Sequence, residues 1–137
     1  SYCKSIDARL PSEAEWEKAA RGSAGYRYSF GKISDQSKSN FANDFKLGAK
    51  TVKSFQPNGY GLYNMSGNVW EWVDDWFSLY TNAKIDKLTT MMPNEKMVRG
   101  GSWYNNAYYI NVGMRFKLNP EVKLNSIGFR CAWDVQK

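Results

Sequence analysis

Residues 62–76 read LYNMSGNVWEWVDDW and form the densest aromatic stretch of the chain. Trp70, Trp72 and Trp76 fall within seven residues there, and polar residues alternate with tryptophan over positions 70–72. Alternation with a period of two is typical of a β-strand that is buried on one side. The pattern therefore predicts a strand with Trp70 and Trp72 on one face, after a turn cluster at residues 57–61.

A helix is predicted upstream, where residues 10–22 read LPSEAEWEKAARG. Ser12 and Glu15 match the capping-box pattern, in which each side chain satisfies a free amide at the start of the helix. Gly22 is a typical stop signal. We predict one main helix over Ser12–Arg21. The face that we expect to be buried carries Trp16, Ala19 and Ala20.

Short strands and loops are predicted for the rest of the chain. Residues 23–50 keep no period for long, which indicates irregular structure, and residues 78–95 are typical of a polar loop. The further strand predictions are Val52–Phe55, Met97–Trp103 with a break at Gly100-Gly101, Tyr109–Arg115 and Ile127–Trp133. The aromatic residues expected to be largely structural are Trp16, Trp70, Trp72, Trp103, Phe129 and Trp133.

The composition restricts the possible functions. The chain has 137 residues, of which 42% are hydrophobic and 23% charged, and this suits one globular domain. It has no histidine, which excludes Ser-His-Asp and Cys-His catalysis and every histidine-ligated metal site. No apolar run is long enough to span a membrane. The net charge is +6, but the basic residues are scattered, so we predict no nucleic-acid binding.

Three motifs occur in a recognisable order. They are RLPSEAEWE at residues 9–17, GNVWEW at 67–72, and RGGSW at 99–103 followed by GFR at 128–130. In this order and spacing they resemble the formylglycine-generating-enzyme (sulfatase-modifying factor) family. The resemblance implies a single C-type-lectin-like α+β domain over residues 1–137, with one main helix, short antiparallel strands and much irregular structure. Family members carry a strand and a helix before the first motif, so we expect a minimal or N-terminally truncated domain.

The resemblance also bears on catalysis. Active family members hold copper(I) with two thiolates, and an alignment on Arg115 places these near Ala107 and Val112. No cysteine lies between Trp103 and Arg130. Because soft copper(I) needs soft ligands, we predict that the chain holds no copper and is not a formylglycine-generating enzyme.

The chain has two cysteines, Cys3 and Cys131. The resemblance implies that they pair, since the family joins a cysteine before the first motif to one directly after Gly-Phe-Arg. Two buried free thiols, as in a reducing cytoplasm, are the alternative. The compartment is not predicted, but a disulfide would favour an extracellular or surface-displayed protein.

The resemblance further implies a structural calcium ion around the second motif. Asn64 and Glu71 would offer side-chain oxygens, and Gly67 and Val69 would offer backbone carbonyls. Calcium is a hard cation that prefers several oxygen ligands. In the alternative, Asn64 caps a turn and Glu71 pairs with a nearby arginine.

The segment between the RGGSW and GFR motifs is rich in asparagine and tyrosine, residue types that are common in binding surfaces. It resembles the variable region of diversity-generating-retroelement proteins, in which asparagine codons are rewritten. This implies a diversified surface that binds a protein or cell-surface ligand; ordinary loop surface is the alternative. The predicted ligand-binding residues are Tyr104, Asn105, Asn106, Tyr108, Tyr109, Asn111, Met114, Leu118, Asn119, Val122, Leu124 and Asn125.

Two other classes of function stay open. Catalysis elsewhere on the domain would have to use the tight carboxylate cluster of Glu71, Asp74 and Asp75. A structural subunit of a larger surface assembly is the second alternative. The oligomeric state is not predicted.

Overall fold

The computed structural model describes residues 2–44, 46–78 and 94–135. It is an α+β domain, as predicted. The elements of these residues are α1 (Tyr2–Ser5), α2 (Glu13–Arg21), β1 (Trp70–Trp76), β2 (Lys96–Arg99), β3 (Arg115–Leu118) and β4 (Ile127–Phe129). The strands form a four-stranded sheet in the order β3-β2-β1-β4. Pairs β1/β2 and β2/β3 are antiparallel, whereas β1/β4 is parallel. The expectation of antiparallel strands is therefore wrong for β4.

Helix α2 begins as its sequence predicts. The Glu15 amide donates to the Ser12 hydroxyl at 3.2 Å, and the Ser12 amide donates to the Glu15 carboxylate at 2.7 Å. A partner from β1 adds to this cap, because the Glu13 amide donates to Asp75 at 2.6 Å. Three of the orphan amide groups at the helix start are thus satisfied by side chains, and the helix is joined directly to the sheet.

The main core lies between α2 and one face of the sheet. Trp16 and Ala20 are fully buried there, while Ala19 is half-buried against them. A second, smaller cluster contains Tyr28, Phe41 and Ile110. The other buried members of the main core are Met65, Val73, Met97 and Val112.

The opposite face of the sheet explains one wrong expectation. Glu71 and Val73 face α2, so Trp70 and Trp72 point to the other side, on one face as predicted. Trp70 is buried under the Phe116 ring at 5.3 Å, and Trp72 is half-buried. Phe129 and Trp133, however, are exposed, against the expectation of a structural role in the core. Helix α2 covers only one face of the sheet. Phe129 lies in the edge strand β4, on the other face.

Several strand predictions are wrong in extent. Val52–Phe55 forms turns, and Tyr109–Arg115 also turns until β3 begins at its last residue. Met97–Trp103 belongs to a strand only as far as Arg99, and Ile127–Trp133 only as far as Phe129. The short helix α1 was not predicted. Of the predicted polar loop at 78–95, residues 79–93 lie outside the described residues. No helix among the described residues is long and apolar enough to cross a membrane.

The two cysteines form a disulfide, which confirms the pairing and leaves no free thiol. Cys3 in α1 is thereby joined to Cys131, 128 residues away in sequence. Beside this link, Arg9 and Ala132 exchange two backbone hydrogen bonds at 3.0 and 2.8 Å. The two ends of the described chain are thus held together covalently and by a β-bridge.

Replacing both cysteines (Cys3→Ala with Cys131→Ala) is expected to lower the free energy of unfolding by about 4 kcal/mol, because the unfolded chain regains the entropy of a long loop. Urea denaturation measures this change. Dithiothreitol should destabilise the wild type to the same extent and leave the double variant unchanged. A wild-type chain that is insensitive to reduction would contradict the prediction.

Candidate functional site

A pair of glycines directs the chain from the sheet into the Tyr/Asn-rich segment. Gly100 and Gly101 have φ of 97° and 70°, in the left-handed region that side chains disfavour. A Cβ on Gly101 would lie 2.7 Å from Ile110 Cγ2 and 2.8 Å from the Tyr109 carbonyl oxygen. Glycine therefore permits the turn after β2 and the close approach of residues 109–110. This break was predicted from the sequence, because glycine inside a strand pattern is typical of a bulge or of a close backbone approach.

A buried arginine holds the next part of the segment. Arg99 is fully buried, and its guanidinium donates to Glu13 at 2.6 Å and to Glu17 at 2.5 Å. The same group donates to the Val112 carbonyl at 2.7 Å. The guanidinium of Arg99 in β2 is thus hydrogen-bonded both to helix α2 and to the segment at Val112. No sequence pattern predicted this network, although Glu13 and Glu17 are spaced to share one helix face.

The carboxylates of this network stay ionised. Burial alone would raise the pKa of Glu13, but hydrogen bonds from Arg115 and Arg99 hold it below its ordinary value. The pKa of Glu17 is also lowered, because the hydrogen bonds from Arg99 and Arg21 outweigh the opposing effect of burial. Charged partners therefore balance the buried guanidinium, which a low-dielectric interior requires.

Asparagine side chains shape the segment itself. Asn105 Oδ1 accepts from the Ser102 amide and hydroxyl at 2.9 and 2.6 Å. Asn106, Asn111 and Asn119 each accept from the amide two residues ahead, at 3.0, 3.2 and 2.9 Å. These are Asx-turns, which replace regular backbone pairing. These four asparagines, which were predicted to contact a ligand, therefore stabilise the local fold.

Two tyrosines of the segment are exposed and supported from behind. Tyr104 is 37% exposed, and its ring meets the buried Trp103 edge-on at 5.3 Å. Tyr108 is 63% exposed and meets the half-buried Tyr109 at 5.3 Å in the same geometry. Both rings are held by contact with a neighbouring ring and still present surface to solvent.

The predicted ligand-binding residues lie in two regions of the structure. Tyr104–Met114 lies near the end of the sheet where Arg99 pairs with Arg115, whereas Leu118 pairs with Lys96, about 10 Å further along β3 at the usual strand rise. Exposed members are Tyr104, Asn106, Tyr108, Asn119, Leu124 and Asn125. Half-buried members are Asn105, Tyr109, Asn111, Met114, Leu118 and Val122.

One of the predicted calcium ligands, Glu71, already has other partners. Glu71 accepts from Arg130 Nε and Nη2, both at 2.6 Å, and from Trp16 Nε1 at 2.7 Å. Burial lowers the pKa of Arg130, but Glu71 raises it overall, so the guanidinium is charged. Asn64 donates to the Val52 carbonyl at 2.8 Å. With Gly67 and Val69 the set contains one carboxylate, which Arg130 neutralises. It fits calcium poorly in this arrangement, and the ion-pair alternative for Glu71 is the one observed.

The carboxylate cluster does not converge on a common point. Glu71 faces α2 and is held by Arg130, while Asp75 caps the helix at Glu13. Asp74 is exposed and lies 3.4 Å from Lys96. Each acid therefore has a structural partner of its own.

The positions aligned with the family's thiolates lie in apolar surroundings. Ala107 is half-buried against the Tyr28, Phe41 and Ile110 cluster. Val112 is a member of the main core beneath α2. The two side chains thus belong to different core clusters.

This chain is similar in sequence to one protein family and to individual proteins of known name. Residues 1–135 match the family described as sulfatase-modifying factor enzyme 1-like domain. The formylglycine-generating enzyme of Streptomyces coelicolor is 38% identical over 155 aligned positions, which cover 98% of this chain and 49% of the enzyme. The serine/threonine-protein kinase Pkn1 of Chlamydia trachomatis is 39% identical over 142 positions, covering 99% of this chain and 23% of the kinase.

A solved structure is also similar. Treponema denticola variable protein 1 matches with a TM-score of 0.76 and 31% identity, covering 89% of this chain and 46% of that protein. This chain therefore spans about half, or less, of the length of the relatives that it matches.

Substituting Gly101→Ala is expected to destabilise the domain by about 3 kcal/mol, since it adds left-handed strain to a clash with Ile110 and Tyr109. Gly25→Ala is the matched control, because Gly25 has φ 65° and nothing within 4 Å of its Cβ position. The control should cost only about 1 kcal/mol. Equal losses in urea denaturation would show that packing against residues 109–110 contributes nothing.

Calcium is expected to shift the melting temperature by less than about 1 °C relative to a chelator. A ligand raises the melting temperature only of a protein that binds it, and this set of residues fits calcium poorly. Differential scanning fluorimetry with calcium, magnesium or EDTA measures this shift. A rise specific to calcium that disappears in Asn64→Ala would contradict the prediction and would assign the ion to this set.

Proposed function

Because the chain belongs to the sulfatase-modifying factor enzyme 1-like domain family, we propose that it is a non-catalytic ligand-binding domain. Its binding surface is the exposed part of residues 104–125, and its ligand is a protein or a cell-surface structure. Copper has no place in this function. The observation that carries the proposal is the pair of exposed tyrosines, Tyr104 and Tyr108, each supported by a neighbouring ring.

Supported tyrosines suit recognition for an energetic reason. A side chain that is free in solution loses rotamer entropy when it is immobilised at an interface. Contacts with Trp103 and Tyr109 already restrict these rings, so less entropy is lost on binding. Tyrosine also combines a large apolar ring with a hydroxyl that can form hydrogen bonds. A ligand would therefore gain contact area here at low cost.

The absence of catalysis rests on the chemistry of the side chains. Both cysteines of the sequence are joined in the disulfide, and there is no histidine. Ala107 and Val112 offer a soft metal no ligand. The acids Glu71, Asp74 and Asp75 are separately engaged, so they provide no acid–base pair.

Diversification of this surface is the finer part of the proposal. The similarity to Treponema denticola variable protein 1 supports it. Asn106, Asn111 and Asn119 set the turns, and Asn105 is half-buried, so they tolerate less change than exposed residues that hold no turn. We therefore place the freest variation at Tyr104, Tyr108, Leu124 and Asn125. Sequencing the genomic DNA around the gene tests this directly.

The genomic test has two outcomes. A near-copy of the stretch encoding residues 103–130, differing only where the copy has adenine and lying beside a reverse transcriptase gene, would support a diversified binder. Finding neither would overturn diversification. The chain would then be an ordinary copper-less family member, and the Tyr104/Tyr108 surface would still be tested by the binding experiment below.

The double variant Tyr104→Ala/Tyr108→Ala is expected to weaken binding at least about 30-fold, as the loss of two aromatic anchors does at other interfaces. The probe is the partner that the wild-type chain captures from the surface fraction of its source organism, purified and measured by biolayer interferometry. Because the variant also removes the two ring contacts, the free energy of unfolding should fall by about 1–3 kcal/mol, and circular dichroism checks that the variant is folded.

The matched control is Tyr26→Ala/Tyr60→Ala. These tyrosines are similarly exposed, at 38% and 51%, and lie outside residues 104–125. The control should bind the partner as the wild type does. Equal binding by wild type and the Tyr104/Tyr108 variant would overturn the proposed surface.

A further inference from the structure

Residues 46–55, called here the anchored segment, are held in place by asparagine side chains. The backbone carbonyls of every second residue from 48 to 52 accept hydrogen bonds from asparagine side-chain amides. These asparagines precede or follow the segment in sequence. The pairs are Asn40 with Gly48, Asn68 with Lys50, and Asn64 with Val52, at 3.1, 3.1 and 2.8 Å. The Lys50 amide also donates to Asn68 Oδ1 at 2.8 Å. The backbone is therefore fixed without sheet pairing, and residues 49–54 are all exposed.

The anchored segment concentrates positive charge. Lys46, Lys50 and Lys53 lie within it, and Lys38 precedes it. Residues 45–70 contain no acid, so the three lysines of the anchored segment contribute +3 there, against a net charge of +6 for the whole chain. Among the described residues, no salt bridge engages the three lysines of the segment.

Aliphatic side chains alternate with these lysines. Leu47 and Val52 are 63% and 66% exposed. Lys50 Nζ lies 5.1 Å from the Phe55 ring centre, and Lys53 Nζ lies 5.9 Å from the Tyr63 ring centre. The surface thus combines cations, exposed aliphatic groups and aromatic rings on one rigid stretch of backbone.

We propose that the anchored segment docks peripherally on an anionic lipid surface. Lysine cations meet negatively charged headgroups, and Leu47 and Val52 enter the boundary between headgroups and acyl chains. Charge complementarity accounts for the lysines. The aliphatic groups favour lipid over a soluble polyanion, since a sulfated glycan or a nucleic acid gains nothing from them. This inference is independent of the proposed ligand at Tyr104 and Tyr108.

Vesicle co-sedimentation of the purified chain at low salt tests the inference. The chain is expected to pellet with phosphatidylcholine vesicles that contain phosphatidylglycerol and not with phosphatidylcholine alone. Lys50→Gln/Lys53→Gln should lower the partition coefficient about 30-fold, from about five-fold for each lysine. The matched control is Lys4→Gln/Lys18→Gln, which removes the same charge from exposed positions elsewhere and should bind as the wild type does.

A second variant tests the apolar contribution at constant charge. Leu47→Ser/Val52→Ser should lower the partition coefficient about tenfold, the effect of partly burying two aliphatic groups. Circular dichroism and thermal melting confirm that each variant is folded. Unchanged partition of this variant, an equal loss in the lysine control, or retention on heparin resin without vesicle binding would each overturn the inference. Tyr104→Ala/Tyr108→Ala should leave vesicle binding unchanged, which separates this site from the proposed ligand surface.

Discussion

The buried guanidinium of Arg99 is the interaction on which the arrangement of the domain depends. A charge in the interior is tolerated only where partners compensate its lost hydration. Glu13 and Glu17 supply two carboxylates from consecutive turns of α2, and the Val112 carbonyl supplies a third acceptor. The guanidinium also lies 5.4 Å from the centre of the Trp16 ring. Moving α2, β2 or the segment at Val112 would leave a buried charge unpaired, so the three move as one unit.

Asparagine side chains here form hydrogen bonds to backbone groups that sheets and helices satisfy in more regular domains. Asn40, Asn64 and Asn68 hold alternate carbonyls of the anchored segment, and Asn64 and Asn68 themselves have φ of 54° and 71°. Asparagine tolerates this left-handed conformation better than most residues because its short polar side chain bonds locally. The turns of residues 104–121 are held in the same way. Irregular backbone can therefore be rigid here, which a binding surface requires.

The same chemistry explains how far the sequence could predict the structure. Helix α2 and the Trp70–Trp72 strand were predicted correctly because their signals are local, in the capping box and in the period-two pattern. Val52–Phe55 was wrong because its backbone bonds to the Asn64 side chain and to Thr51, not to a neighbouring strand. The network around Arg99 joins residues 86 positions apart, and no local pattern reveals such a contact. Exposure of Phe129 likewise depends on which face of the sheet α2 covers.

Val112 shows why the outward side of the segment is the place to look for function. Its carbonyl binds Arg99, and its side chain fills the core beneath α2. A residue used in this way serves packing and cannot at the same time present a reactive group to a substrate. Ala107 is committed to the second cluster by similar packing. The positions that the resemblance associates with chemistry therefore support the fold in this chain. The recognition proposed above would use neighbours that face solvent, of which Tyr104 and Tyr108 offer large surfaces supported by a neighbouring ring.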